Sequence, residues 1–153
     1  MATQEFSQSL PMMLYRALDA VMPRFRRIFN EFGLTEQQWR VLRVLWEHDA
    51  IAFRTLADAT LIPAPSLVGV VDRLAKQGLV VRRRSETDRR NVFVRATDEG
   101  RDLHRKVRPR VDEAYADLRG SIDADVWQQL TTGLERLGSL DVGVPEDRPA
   151  VNQ

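Results

Sequence analysis

The stretch Pro63-Ala64-Pro65-Ser66-Leu67-Val68-Gly69-Val70-Val71-Asp72-Arg73-Leu74-Ala75-Lys76-Gln77-Gly78 decides the reading of this 153-residue chain. Leu67, Val70, Val71 and Leu74 recur at helical spacing, and Gly78 stops the helix at about Gln77. At about 100° per residue, Ser66, Gly69, Arg73 and Gln77 share a different face, beside the apolar stripe. One face packs and the other is free to enter a groove. The residue types suit a DNA major groove: Ser bonds a base or phosphate, Arg pairs with guanine or phosphate, and Gly lets the backbone approach closely. An amphipathic surface helix has the same pattern, so the neighbouring segments must decide.

Upstream, a short helix is predicted over about Arg54 to Thr60, with Leu56 and Ala57 inward, joined through Leu61-Ile62 to the helix above. Two short helices on a tight connection make a helix-turn-helix candidate. Downstream, Leu79 to Arg84 and Asn91 to Ala96 read as two strands, and the polar Ser85 to Arg90 as a hairpin loop. Between Arg73 and Arg95 stand eight basic residues against Glu86 and Asp88, although the whole chain carries a formal charge of only +1. Arg84, Arg89 and Arg90 at an exposed tip repel one another unless an anion accepts them. Asp88, two residues before Arg90, either aims that guanidinium by a charge-assisted bond or simply favours the turn.

Thr35-Glu36-Gln37-Gln38 is a capping-box sequence, followed by a largely buried short helix carrying Trp39, Leu42, Val44, Leu45 and Trp46. A long helix is predicted over 9–32, where Leu10, Leu14, Ala17, Val21, Phe25, Ile28 and Phe32 recur at three and four, widened by Leu18, Met22 and Phe29. Pro23 implies a kink there, and so broad an apolar surface fits a subunit interface. Thr97-Asp98-Glu99 caps a helix to about Leu118, with the stripe Leu103, Val107, Val111, Ala114 and Leu118 interrupted by Pro109. A last helix begins at about Asp123 and carries Val126, Trp127, Leu130, Leu134, Leu137 and Leu140; the tail 141–153 reads as disordered.

Composition narrows the function. There is no cysteine, which removes disulfides, thiolate catalysis and cysteine-containing zinc sites. His48 and His104 are too far apart in sequence to read as a metal cluster, and no glycine-rich phosphate loop or nucleophile elbow appears, so neither catalysis, metal nor cofactor is expected. No signal peptide or membrane-length apolar run is seen, which points to a cytoplasmic protein without membrane contact.

Leu34-Thr35-Glu36-Gln37-Gln38-Trp39-Arg40-Val41-Leu42, Pro65-Ser66-Leu67, Asp72-Arg73-Leu74, Gly78-Leu79-Val80, Asp88-Arg89-Arg90 and Thr97-Asp98-Glu99-Gly100, in this order, resemble the MarR family, nearest its homoprotocatechuate-operon repressor branch. The resemblance covers roughly 9–140. It implies a mainly α fold with a small β-hairpin wing, a winged helix-turn-helix that forms a MarR-like homodimer. On this view residues 1–140 form one domain with dimerisation helices at about 9–32, 98–118 and 123–140. The dimer would bind a pseudo-palindromic double-stranded operator, with Pro65, Ser66, Gly69 and Arg73 near the major groove, and Arg84, Asp88, Arg89 and Arg90 at the wing, where Asp88 orients Arg90 in the minor groove. Repression of aromatic-compound catabolic genes, relieved by a small aromatic or phenolic acid, is the implied role.

For such an effector Arg16, Trp39, Arg40 and Arg43 are the candidate contacts, a guanidinium for the carboxylate and an indole for the ring. Trp39 as a plain core residue and Arg16 as an ion-pair partner of Asp19 or Glu113 are the competing readings. This branch often carries a second Arg where this chain has Leu18. A ligand-independent DNA binder or a winged helix used for protein contacts remains the alternative function.

Overall fold

The structure is a computed structural model that describes residues 5–88 and 91–140. The chain divides into two compact units, 1–115 and 116–153. In the first, a 3-10 turn at Phe6–Gln8 leads into α1 (Leu10–Glu31), α2 (Glu36–Leu45), β1 (Ile51–Ala52), α3 (Phe53–Thr60), α4 (Ala64–Lys76), β2 (Val80–Arg84), β3 (Val92–Ala96) and most of α5 (Asp98–Gly120). The protein is therefore mainly helical with one small antiparallel sheet, in the order β1-β3-β2.

The predicted start of α2 is realised atom for atom. Gln38 N donates to Thr35 Oγ1 at 3.2 Å and Thr35 N donates to Gln38 Oε1 at 2.9 Å, closing a capping box that satisfies two otherwise orphaned amides. Gln38 then uses its remaining amide group to donate to Gln77 Oε1 at 3.3 Å, tying the beginning of α2 to the end of α4. Leu42, Leu45, Leu56, Leu67, Leu74 and Val94 are completely enclosed and bring α2, α3, α4 and β3 into one core. Each such leucine contributes about 1.5–3 kcal/mol on burial.

β1 was not foreseen. It is only Ile51 and Ala52, too short for any periodicity, and it exists because β3 offers an open edge: Ile51 pairs with Val94 and Ala52 with Phe93. α1 continues through Pro23 and α5 through Pro109. The ring's fixed φ is compatible with a helix, and each proline removes one backbone donor without ending the element.

α5 begins against the root of the hairpin. Thr97 Oγ1 donates to Gly78 O at 2.6 Å, Thr97 N donates to Leu79 O at 3.0 Å, and Gly78 holds the left-handed φ of 72° that turns the chain out of α4. Gly100 lies so close to the Leu79 carbonyl that a Cβ there would overlap it.

α1 is buried only along its C-terminal half, at Phe25, Ile28 and Phe29, whereas Leu10, Met13 and Leu18 are about half exposed. In the second unit, α6 (Ala124–Gly138) is capped by Asp123, whose Oδ1 accepts from Asp125 N and Val126 N. No residue of α6 is buried, and Val126, Leu130 and Leu134 form an exposed row four residues apart. The predicted tail 141–153 lies outside the described residues.

Candidate functional site

α3 and α4 meet through a turn at Leu61, a leucine in the left-handed region (φ 52°) whose side chain is exposed. Thr60 Oγ1 closes the end of α3 by donating to Leu56 O at 2.7 Å. α4 then buries Leu67, Val70, Val71 and Leu74, which leaves Pro65, Ser66 and Arg73 exposed and Gly69 half-buried. The face division read from the sequence is the one observed. Gly69 plays a more local part than expected: Arg73 folds back over it, with Nη1 at 3.4 Å from where a Cβ would stand.

Beside α4 stands the hairpin. β2 and β3 pair in register from Val80↔Ala96 to Arg84↔Val92, and Ser85 N donates to Asn91 O at 2.9 Å to extend the ladder. At the turn, Ser85 Oγ accepts from the amides of Thr87 and Asp88, and Asp88 accepts from Asn91 through both its backbone carbonyl and its carboxylate. Asp88 thus holds the tip together. Arg84 is exposed at the end of β2; Arg89 and Arg90 lie outside the described residues, and so does the expected Asp88–Arg90 relationship.

Two features here escaped the sequence reading. Arg82 Nη2 lies 2.6 Å from Asp72 Oδ1, joining hairpin to helix across an exposed pair. Next to that pair, Ala52, Phe53, Arg54, Val68, Asn91 and Val92 line a groove of about 390 Å³ between α4 and the hairpin. The groove is open and mostly apolar, with Arg54 and the Asp72-paired Arg82 as the charged side chains of its lining.

A second concavity, of about 330 Å³, lies between α2 and α5 and contains Trp39 and Arg43, two of the four candidate ligand contacts. Arg16 and Arg40 do not line it. Arg16 is exposed on α1, and Arg40, half-buried on α2, has an Nε that is enclosed with no hydrogen-bond partner among the described residues. A chain of rings runs along the cleft: Phe29 stacks on Trp39 at 4.7 Å between centroids, Trp39 meets Trp46 edge-on at 5.2 Å, and Trp46 stacks on His104 at 4.3 Å. Trp46 Nε1 donates to Gly100 O at 2.9 Å.

Around the rings run two ion pairs, Arg43 of α2 with Glu47 just beyond its end at 2.5 Å, and Arg108–Asp112 on α5 at 3.3 Å. Burial holds the His104 imidazole below its usual pKa, aided by the cations of Arg108 and Arg43 and opposed by Asp112. Sequence reasoning weighed His104 only as a metal ligand. The spacing of His104, Arg108 and Asp112 by four residues was the available signal that they share one helical face. Among the described residues no three His, Cys, Asp or Glu side chains are placed to hold a metal ion, and no helix is long and apolar enough to cross a membrane.

Comparison with known proteins agrees with this geometry. Over 145 residues, 95% of this chain and 98% of the relative, it is 37% identical to the homoprotocatechuate degradative operon repressor of Escherichia coli. The crystal structure of NadR in complex with 4-hydroxyphenylacetate superposes with a TM-score of 0.77 at 36% identity, covering 92% of this chain and 100% of that one. The transcriptional repressor CouR, bound to a 23-mer DNA duplex, superposes with a TM-score of 0.80 at 28% identity, covering 90% of this chain and 98% of that one. The sequence pattern of the MarR family matches residues 32–91, the segment that holds the helix pair and most of the hairpin. With the buried and exposed faces of α4, the adjoining arginine-bearing hairpin and these likenesses, the chain belongs to the MarR family of transcriptional regulators.

Proposed function

We propose that the chain is a homodimeric repressor of aromatic-compound catabolic genes that binds a pseudo-palindromic double-stranded operator and leaves it when a small aromatic carboxylate binds. The observation that carries the reading is α4, packed on one side through Leu67, Val70, Val71 and Leu74 and open on the other through Pro65, Ser66 and Arg73. Ser66 and Arg73 read base edges, Pro65 and Gly69 set the helix against the groove, and Arg84, Arg89 and Arg90 meet the backbone and minor groove from the hairpin that Asp88 helps to shape.

Dimerisation uses the apolar rows left open on α1 and α6, and a two-fold dimer places two α4 helices against half-sites about one helical turn apart. Residues 1–140 serve as one functional domain, acting in the cytoplasm without catalytic chemistry or cofactor. The aromatic acid sits on Trp39 and within reach of Arg43, while Arg40 and Arg16, which do not line the cleft, contribute from α2 and from the exposed part of α1. That the Escherichia coli relative is the repressor of a degradative operon for an aromatic acid, and that NadR holds 4-hydroxyphenylacetate, supports the effector class.

The test is a fluorescence-anisotropy titration of the full chain on DNA flanking its own gene, against scrambled DNA, with and without a panel of phenolic acids. Preference for the flanking DNA, abolished by one acid, is the expected result. Specific binding indifferent to every acid would leave a ligand-independent DNA-binding protein, and absence of any DNA preference would favour a protein-contact module.

A further inference from the structure

The end of the α2–α5 cleft around His104 contains more than an aromatic ring requires. Trp46 has spent its N–H on Gly100 O, so it offers the cleft only its π-surface, and His104 lies parallel to that surface with an interplanar angle of 14°. Neither imidazole nitrogen has a hydrogen-bond partner among the described residues. From α2 and the turn after it the charged groups facing this end are Arg43 and Glu47; from α5 they are Arg108 and Asp112. Both ion pairs they form are more than half exposed. Exposed pairs of this kind contribute little to stability, so an incoming carboxylate can replace Glu47 or Asp112 at little cost.

We propose that the carboxylate of an aromatic effector binds here between Arg43 and Arg108 with His104 as its third contact, and that the imidazole takes up a proton from solvent as the ligand arrives. This rests on the effector reading above and adds the residue and the proton. In the free protein, burial and the two arginines keep His104 neutral near pH 7. An anion seated between those arginines offsets their repulsion and favours imidazolium. The bound-state pKa then lies above the free-state one. Affinity is therefore highest below the free-state pKa and falls as pH rises, levelling off above the bound-state pKa. A carboxylate is required; a neutral phenol of the same shape gains nothing from acid.

The experiment is isothermal titration calorimetry of the full chain with 4-hydroxyphenylacetate and with the neutral 4-(2-hydroxyethyl)phenol, between about pH 5.5 and about pH 8, the span over which imidazoles titrate. Two buffers of different ionisation enthalpy report the protons taken up. The expected result is proton uptake and roughly tenfold tighter binding of the acid at the low end, with no such slope for the neutral phenol. His104→Phe keeps a ring on Trp46 without a titrating group and should bind the acid with a flat pH profile. His104→Gln should do the same, which separates the proton from the stacking. A slope that survives in both variants, or wild-type affinity independent of pH, overturns the proposal while leaving the effector reading in place. No binding of this or any other arene carboxylate at any pH overturns both.

Discussion

The guanidinium of Arg82, on the hairpin, lies 2.6 Å from the carboxylate of Asp72, on α4, so the two parts of the proposed DNA-facing surface are joined by an ion pair. Both side chains are about 40% exposed, and an exposed pair contributes at most about 1 kcal/mol to folding. Its value lies in fixing the hairpin relative to the helix. Asp72→Asn should therefore leave the denaturant midpoint almost unchanged but lower the ratio of operator to scrambled-DNA affinity, because the freed Arg82 strengthens binding to any phosphate backbone. An unchanged ratio in anisotropy titrations would remove this pair from the recognition surface.

Helix and hairpin residues should separate in their effects. Ser66→Ala and Arg73→Ala should change preference among operator variants, each losing about 1–3 kcal/mol against the favoured base pair. Arg84→Ala and Arg90→Ala should weaken binding to all sequences alike and lower the slope of log affinity against log salt by about one each per subunit. A sequence-dependent effect of the hairpin variants would contradict this division.

Gly69→Ala separates stability from binding. A Cβ at this position makes only ordinary contact with Arg73 Nη1, and alanine is favoured over glycine within a helix by about 1 kcal/mol. The variant should melt at a higher temperature and bind operator more weakly, since the added methyl stands between helix and groove. Tighter operator binding would refute the assignment of this face.

Gly100→Ala should do the opposite to stability. The new Cβ overlaps the Leu79 carbonyl, backbone that cannot rotate away, and forced repacking of this kind costs about 1–3 kcal/mol. Urea unfolding measures the loss. A variant as stable as the wild type would mean that α5 shifts freely against the hairpin.

Local signals carried much of the fold. The Thr35–Gln38 capping box, the stripe Leu67, Val70, Val71 and Leu74, and the exit at Gly78 each depend on residues within a few positions of one another, and each is found where the sequence places it. What could not be read depends on distant pairing. β1 forms only because Val94 and Phe93 present an edge to Ile51 and Ala52, and Asp72 finds Arg82 only after the chain has turned at Gly78. The cleft was half legible: Trp39 and Arg43 stood out by residue type, but His104 joined them through a stack on Trp46 spanning two helices 58 positions apart in sequence. Arg16, placed by the sequence beside the apolar stripe of α1, and Arg40 do not line this cleft.

Gly100 touches both the cleft and the stem of the hairpin. Its carbonyl receives the indole N–H of Trp46, the floor of the cleft, while its α-carbon rests on the carbonyl of Leu79, the first residue after the turn out of α4. Any displacement of Trp46 would therefore act on a peptide unit that touches the stem from which the hairpin grows.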